Sequence, residues 1–166
     1  MKKIGLAIIG IAVLVACFMT VPTNADDVGV NTTVNTYITA VFNYNTVAYG
    51  SLSAGTSNNV APNQASGVYN ISMDTNANYK VQSSGTTFGD GAGHTFNVNN
   101  LKMDTATTAG GLALGSAIAL SGTPQIIDTG YTPSDTMNFN GYWLTIPASQ
   151  FAGVYNATIT VAVSSV

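Results

Sequence analysis

His94 is the single imidazole in the chain, so general acid–base chemistry near neutral pH would have to start there. Nucleophilic catalysis needs a base beside an activated hydroxyl and a third group to orient it. His94 instead follows Asp90-Gly91-Ala92-Gly93, a loop-forming run, and no motif ties a carboxylate to it. It reads as an exposed loop side chain. Asp26, Asp27, Asp74, Asp90, Asp104, Asp128 and Asp135 are the only carboxylate side chains, and they are scattered among turn residues. Glycoside hydrolysis would need two of them facing each other across a cleft, which this scatter does not suggest. The one cysteine, Cys17, lies in the N-terminal apolar run, so a zinc or transition-metal set lacks ligands. Asp74-Thr75-Asn76-Ala77-Asn78 opens like a calcium loop. Its sixth place is Tyr79 rather than Gly, however, and its twelfth is Gly85 rather than an acid, so it reads as a hairpin turn. Calcium shared between loop aspartates or subunits is the remaining cation reading. The expectation is no enzyme and no cofactor.

The elements around these residues follow an N-terminal segment that reads as an export signal. Lys2 and Lys3 precede an apolar run over residues 4–19, and Thr23-Asn24-Ala25 places small residues for cleavage before Asp26. Two rivals exist: Leu14-Val15-Ala16-Cys17 matches a lipobox, which would make Cys17 a lipid anchor, and an uncleaved apolar anchor is the other. The expected organisation is a signal over residues 1–25, an arm over 26–34 and one domain over 35–166. Beyond the signal the charged side chains are Lys80, Lys102 and the seven aspartates, a net of −5 (two minus seven), with no Arg or Glu anywhere. That surface argues against nucleic acid as a partner. Charged residues are 7% of the chain, far below the roughly 25% of average domains. Solubility then falls to Asn, Thr, Ser and attached sugar.

Alternation of period two dominates the remainder. Val28, Val30, Thr32, Val34, Thr36, Ile38, Ala40 and Phe42 share one parity, a ladder two to three times the length of a typical strand. It reads either as an edge strand with an ordered tail or two strands around a bulge, or as a domain strand preceded by a donor strand. In the second reading Val28, Val30, Thr32 and Val34 complete the sheet of a neighbouring subunit. Residues 47–52 read as a short strand. Residues 68–73, with Tyr69, Ile71 and Met73 inward, pair as a hairpin with residues 79–82. Looser strands follow over residues 95–103 and 137–146, and residues 112–120 fit a strand or one helical turn. In the last strand Tyr155, Ala157, Ile159, Val161 and Val163 point one way, with Asn156, Thr158, Thr160 and Ala162 opposite. Seven to nine short strands with almost no 3.6-residue periodicity predict an all-β sandwich.

Three sequons, at Asn31, Asn70 and Asn156, place their amides on the polar faces of these strands and are the candidate glycosylation sites. Trp143 has parity opposite to Tyr142, Leu144 and Ile146. It is expected either between the sheets or facing out, where it would mark an interface or a sugar-stacking platform.

Ala152-Gly153-Val154-Tyr155 resembles the tyrosine corner of immunoglobulin-like sandwiches, with Ala157 where an antibody domain carries Cys. Together with V-A-Y-G-S-L-S-A-G-T, T-N-A-N-Y-K-V and Y-W-L-T-I-P…A-G-V-Y-N-A-T-I-T-V, it makes most of the chain beyond the signal similar to small secreted immunoglobulin-like surface proteins of archaea and bacteria. That group includes the subunits of archaeal bundling pili and threads and of TasA-type fibres. The resemblance implies a Greek-key sandwich, a cell-surface location and polymerisation with copies of itself through a donated N-terminal strand. The alternative is a monomeric adhesin or carbohydrate-binding module that uses loop aspartates and Trp143. The membrane would be met only through the signal or a Cys17 lipid anchor.

Overall fold

The computed structural model describes residues 34, 36–130 and 136–166. The chain clusters into two compact units that divide between Val34 and Asn35, and every element below belongs to Asn35–Val166. Its strands are β1 (Ile38–Phe42), β2 (Asn59–Val60), β3 (Asn70–Thr75), β4 (Tyr79–Gly85), β5 (Phe88–Gly89), β6 (Thr95–Phe96), β7 (Leu101–Ala106), β8 (Ile118–Ala119), β9 (Gln125–Gly130), β10 (Thr136–Leu144) and β11 (Ile159–Ser165). Three one-turn 3-10 helices are the only helical pieces among the described residues. The protein is an all-β sandwich of antiparallel sheets. One sheet runs β1-β3-β10-β7-β8 with β2 also on β10, the second runs β11-β4-β9, and β5 and β6 form a small hairpin.

The expected hairpin between residues 68–73 and 79–82 does not form. β3 pairs with β1 and β10, whereas β4 pairs with β11 and β9. Each strand carries one apolar face, Ile71 and Met73 on β3 and Tyr79 and Val81 on β4, and all four are buried in one cluster. Burying both faces against each other requires two layers rather than one ladder, so residues 76–78 cross between the sheets. The crossing is tied to the start of β1: Asn76 Oδ1 accepts from the Tyr37 amide at 2.8 Å. Residues 47–52 also depart from expectation, since they form no strand. Gly50 at φ +69 breaks the extension, and Val47, Tyr49 and Leu52 pack against the core without a ladder. Of residues 112–120 only Ile118 and Ala119 pair.

The core has two parts. Ile71, Met73, Tyr79 and Val81 fill one end, with Ile38, Ala40, Val161 and Val163 against them. Leu101, Met103, Leu120, Tyr142 and Leu144 centre the other. Such fully buried side chains contribute about 1.5–3 kcal/mol each. Asn138 and Asn140 are buried along the inward face of β10, below Tyr142 and Leu144, and Asn140 Nδ2 donates to Tyr44 Oη at 2.7 Å.

Trp143 resolves differently from either expectation. Its parity turns it away from the Tyr142 face, yet only 5% of it is exposed. Gly141, two residues back on the same face, leaves room for the indole: a Cβ there would lie 2.6 Å from Trp143 Cη2 and 3.1 Å from Gln64 Nε2. The segment carrying Gln64 is fastened to β10, with Gln64 Oε1 accepting from the Tyr142 amide at 2.6 Å and the Ala61 amide donating to the Tyr142 carbonyl at 3.0 Å. The outer face of the sheet is thus covered here, and the indole offers no stacking platform to a sugar.

Candidate functional site

β11 is the end strand of its sheet: among the described residues its seven-residue ladder is with β4 alone. Its inward residues Ile159, Val161 and Val163 are only half-buried. Beside this edge a slot of about 1280 Å³ opens into the sandwich. Residues 44–54 and 150–157 line it, together with the buried Leu101, Tyr142 and Leu144 of the large sheet and Phe88 and Phe96 of the small hairpin. Ile159, Thr160 and Val161 all contribute, so residues of both parities on β11 border it. A cavity touching both parities meets a strand at its edge as well as on its face.

Tyrosines line the inner part of the slot. Tyr44 and Tyr142 hydroxyls lie 2.6 Å apart, and Tyr44, Tyr69 and Tyr142 meet edge-to-face at centroid distances of 5.4–6.3 Å. Tyr69 Oη donates to the Pro62 carbonyl at 2.8 Å. Burial pushes the Tyr44 hydroxyl above the usual phenol range, and the Tyr49 and Tyr142 hydroxyls well above it, because a phenolate there would be stripped of water. Tyr44 and Tyr142 are neutral and hydrogen-bonded to each other, whereas the buried Tyr49 hydroxyl has no hydrogen-bond partner among the described residues; the set suits packing rather than proton transfer.

At the outer lip, His94 Nδ1 lies 2.6 Å from Asp90 Oδ2, and the imidazole stacks on Phe151 at 4.4 Å. Asp90 is held in place by the Ala92 and His94 amides, which donate to its Oδ1 at 2.8 and 3.0 Å. The hydrogen bond from His94, followed by those amides, keeps the Asp90 carboxyl below the usual carboxylate range. The expectation of an unattached loop histidine is therefore corrected. Spacing i, i+4 in a Gly-rich loop carries no motif, but the Asp90 Asx turn folds the loop back and brings the two side chains together.

Tyr155 Oη donates to the Phe151 carbonyl at 3.0 Å and lies 2.6 Å from Gln150 Nε2, pinning this lip from within. Of the candidate donor-strand residues, Val28, Val30 and Thr32 lie outside the described residues, as do Asn31 and Cys17, and Val34 is exposed. Asn70 is half-buried, with its Nδ2 donating to the Gly67 carbonyl at 2.8 Å and its Oδ1 accepting from Asn43. Asn156 is exposed at the slot margin, and its backbone bridges to Gly89. Asp74 accepts from Tyr37 Oη at 2.8 Å. Among the described residues no three His, Cys, Asp or Glu side chains converge as a metal set. Neither a family model nor a curated protein matches the chain.

The residues that sequence reasoning passed over are 43–54 and the Asp90–His94–Phe151 contact. Residues 47–52 carry the signal of a short strand, but Val47, Tyr49 and Leu52 line a slot instead, and Tyr44 lines it beside them.

Proposed function

We propose that the chain is an exported structural subunit of a surface filament or coat, in which residues 26–34 of one copy pair with the free edge of β11 in the next. The observation that supports it is the juxtaposition of that edge, unpaired among the described residues, with a slot bordered by both parities of β11. The arm has the matching pattern, since Val28, Val30, Thr32 and Val34 would present one face to the slot while its backbone satisfies the edge.

Placement of the strand ends supports a chain of copies. Ile38 pairs with Thr75 and Ser165 with Tyr79, so the start of β1 and the end of β11 meet at the 76–78 crossing. Phe42 and Ile159, at the other ends of the same strands, border the slot. The start of β1 therefore lies at one pole of the domain and the slot toward the other. A contact between unlike surfaces that does not close on itself builds an open filament. The Tyr155–Phe151 hydrogen bond supports the likeness to immunoglobulin-like domains, and with it the implied surface location.

Electron microscopy of a chain beginning at Asp26, beside one beginning at Asn35, tests this reading. Fibres are expected from the long form only. Fibres from both would assign assembly to another surface. If neither form assembles and the long form is a stable monomer, the arm serves its own domain and the filament reading fails.

A further inference from the structure

The lip of the slot carries a titratable contact that packing alone does not require. Phe151 is 65% exposed and lines the slot, yet its ring stacks on His94 instead of turning into the apolar space beside it. The loop below is held by several contacts. Asp90 is nearly buried, with 5% of its side chain exposed against 41% for His94, and Gly153 packs so close that a Cβ there would lie 3.3 Å from the carboxylate. Two backbone hydrogen bonds, Gly89 amide to Asn156 carbonyl (3.0 Å) and Asn156 amide to Gly89 carbonyl (2.9 Å), bracket the same contact. The one variable in this arrangement is the proton on the imidazole.

We propose that the Asp90–His94 pair is a proton-operated latch that holds Phe151 off the slot and so regulates strand entry. This rests on the strand-addition reading above. With His94 protonated, the imidazolium is paired to Asp90 and offers its charged face to the Phe151 ring, a cation–π contact added to a charge-assisted hydrogen bond. Without that proton the imidazole keeps a neutral stack and at most one neutral hydrogen bond. Phe151 then gains by burying its exposed ring in the slot it borders, where it competes with an incoming strand. Among the described residues, the groups facing His94 are Asp90 from its own loop and Phe151 from the 150–156 segment. That segment's other titratable side chain is Tyr155, whose hydroxyl is engaged with Gln150 and the Phe151 carbonyl. The latch is set when the imidazole carries its proton and released when it does not.

The chain has one histidine, which makes the test clean. Assembly of the chain from Asp26, N-acetylated to remove the terminal amine, is followed by light scattering at about pH 5.5 and about pH 8, on either side of the range where imidazoles titrate. Assembly is expected to be about two- to fivefold slower at the higher pH, the worth of an exposed cation–π contact. His94→Gln and Phe151→Ala should each remove that dependence. In parallel, NMR of the intact chain follows the Phe151 ring signals, which should move with the His94 titration and stay fixed in His94→Gln. A pH dependence that persists in His94→Gln, or Phe151 signals that ignore the titration, overturns the latch. Phe151 signals that follow the titration while assembly stays constant overturn its regulatory role. If the chain fails to assemble at every pH, strand addition is what fails, and the ring signals alone decide whether the latch exists.

Discussion

Tyr44 and Tyr142 meet hydroxyl to hydroxyl at 2.6 Å, joining the irregular segment that follows β1 to the C-terminal end of β10. The two groups are not equivalent, because Tyr44 Oη also accepts from Asn140 Nδ2 at 2.7 Å. Tyr44→Phe therefore leaves two buried polar groups without a partner, and should cost about 1–3 kcal/mol in urea unfolding. Tyr142→Phe leaves the Asn140–Tyr44 bond standing and should cost about 0.5–1.5 kcal/mol. Equal losses would mean that the pair is not the tie described.

The same tyrosines fix the alkaline limit of stability. Burial raises the hydroxyls of Tyr44, Tyr49 and Tyr142, so above about pH 10 the unfolded chain releases protons that the folded chain keeps. The unfolded state then binds fewer protons than the native state, and stability falls as pH rises. Ultraviolet titration of tyrosinate should show a group of late-ionising tyrosines that appear together with unfolding. A smooth, fully reversible titration of all eight near the ordinary phenol range would contradict this.

Gly141 is where backbone economy protects Trp143. A Cβ placed 2.6 Å from the indole, with Gln64 Nε2 at 3.1 Å, forces the ring or the covering segment to shift. Gly141→Ala should lower stability by about 1–3 kcal/mol as an overpacking change. The chain has a single Trp, so its fluorescence reports the displacement directly. A variant of unchanged stability and unchanged emission would show that the indole has slack.

Glycosylation should divide the two described sequons. Asn156 is exposed, whereas the Asn70 amide is spent on the Gly67 carbonyl and on Asn43. A sugar on Asn70 Nδ2 would displace the Gly67 hydrogen bond and expand a half-buried site. Glycopeptide mass spectrometry of the natively expressed protein is expected to find occupancy at Asn156 in excess of Asn70, and the reverse order would refute the ranking.

The strand content was legible because apolar alternation is a local property. Tyr69, Ile71 and Met73, and Tyr142 and Leu144, fall on buried faces where their parity puts them. Sheet membership was not legible. The turn chemistry of residues 74–78 fits a hairpin and a crossing equally well, and the choice between them depends on β1, β10, β9 and β11 competing for the edges of β3 and β4. Trp143 escaped because its cover, Gln64 and the short helix it begins, lies far away in sequence. The slot was hidden for a related reason. Residues 47–52 carry the composition of a strand, and only the three-dimensional arrangement shows that they border a gap beside β11 rather than fill it.

Asp90 gives the acid side of the stability profile. Its carboxyl is held below the usual range, chiefly by the His94 hydrogen bond and then by the Ala92 and His94 amides. A depressed carboxyl contributes stability that is fully present above its unfolded value of 3.8 and is lost as pH falls through the lower folded value. Below pH 3.8 the unfolded chain takes up a proton that the folded chain refuses, so acid favours unfolding there. Asp90→Asn keeps the side chain's size and an acceptor oxygen but removes the charge, and should flatten this part of the curve relative to the parent. Because the loop anchors the 150–156 segment through Gly153 and the Gly89–Asn156 bridge, acid should loosen the slot lip before the core opens. Amide exchange as the solution is acidified, compared between parent and Asp90→Asn, separates the two. Loss of protection at Asn156 ahead of Ile71 and Val81 in the parent is the expected result, and simultaneous loss would mean that the lip and the core unfold as one unit.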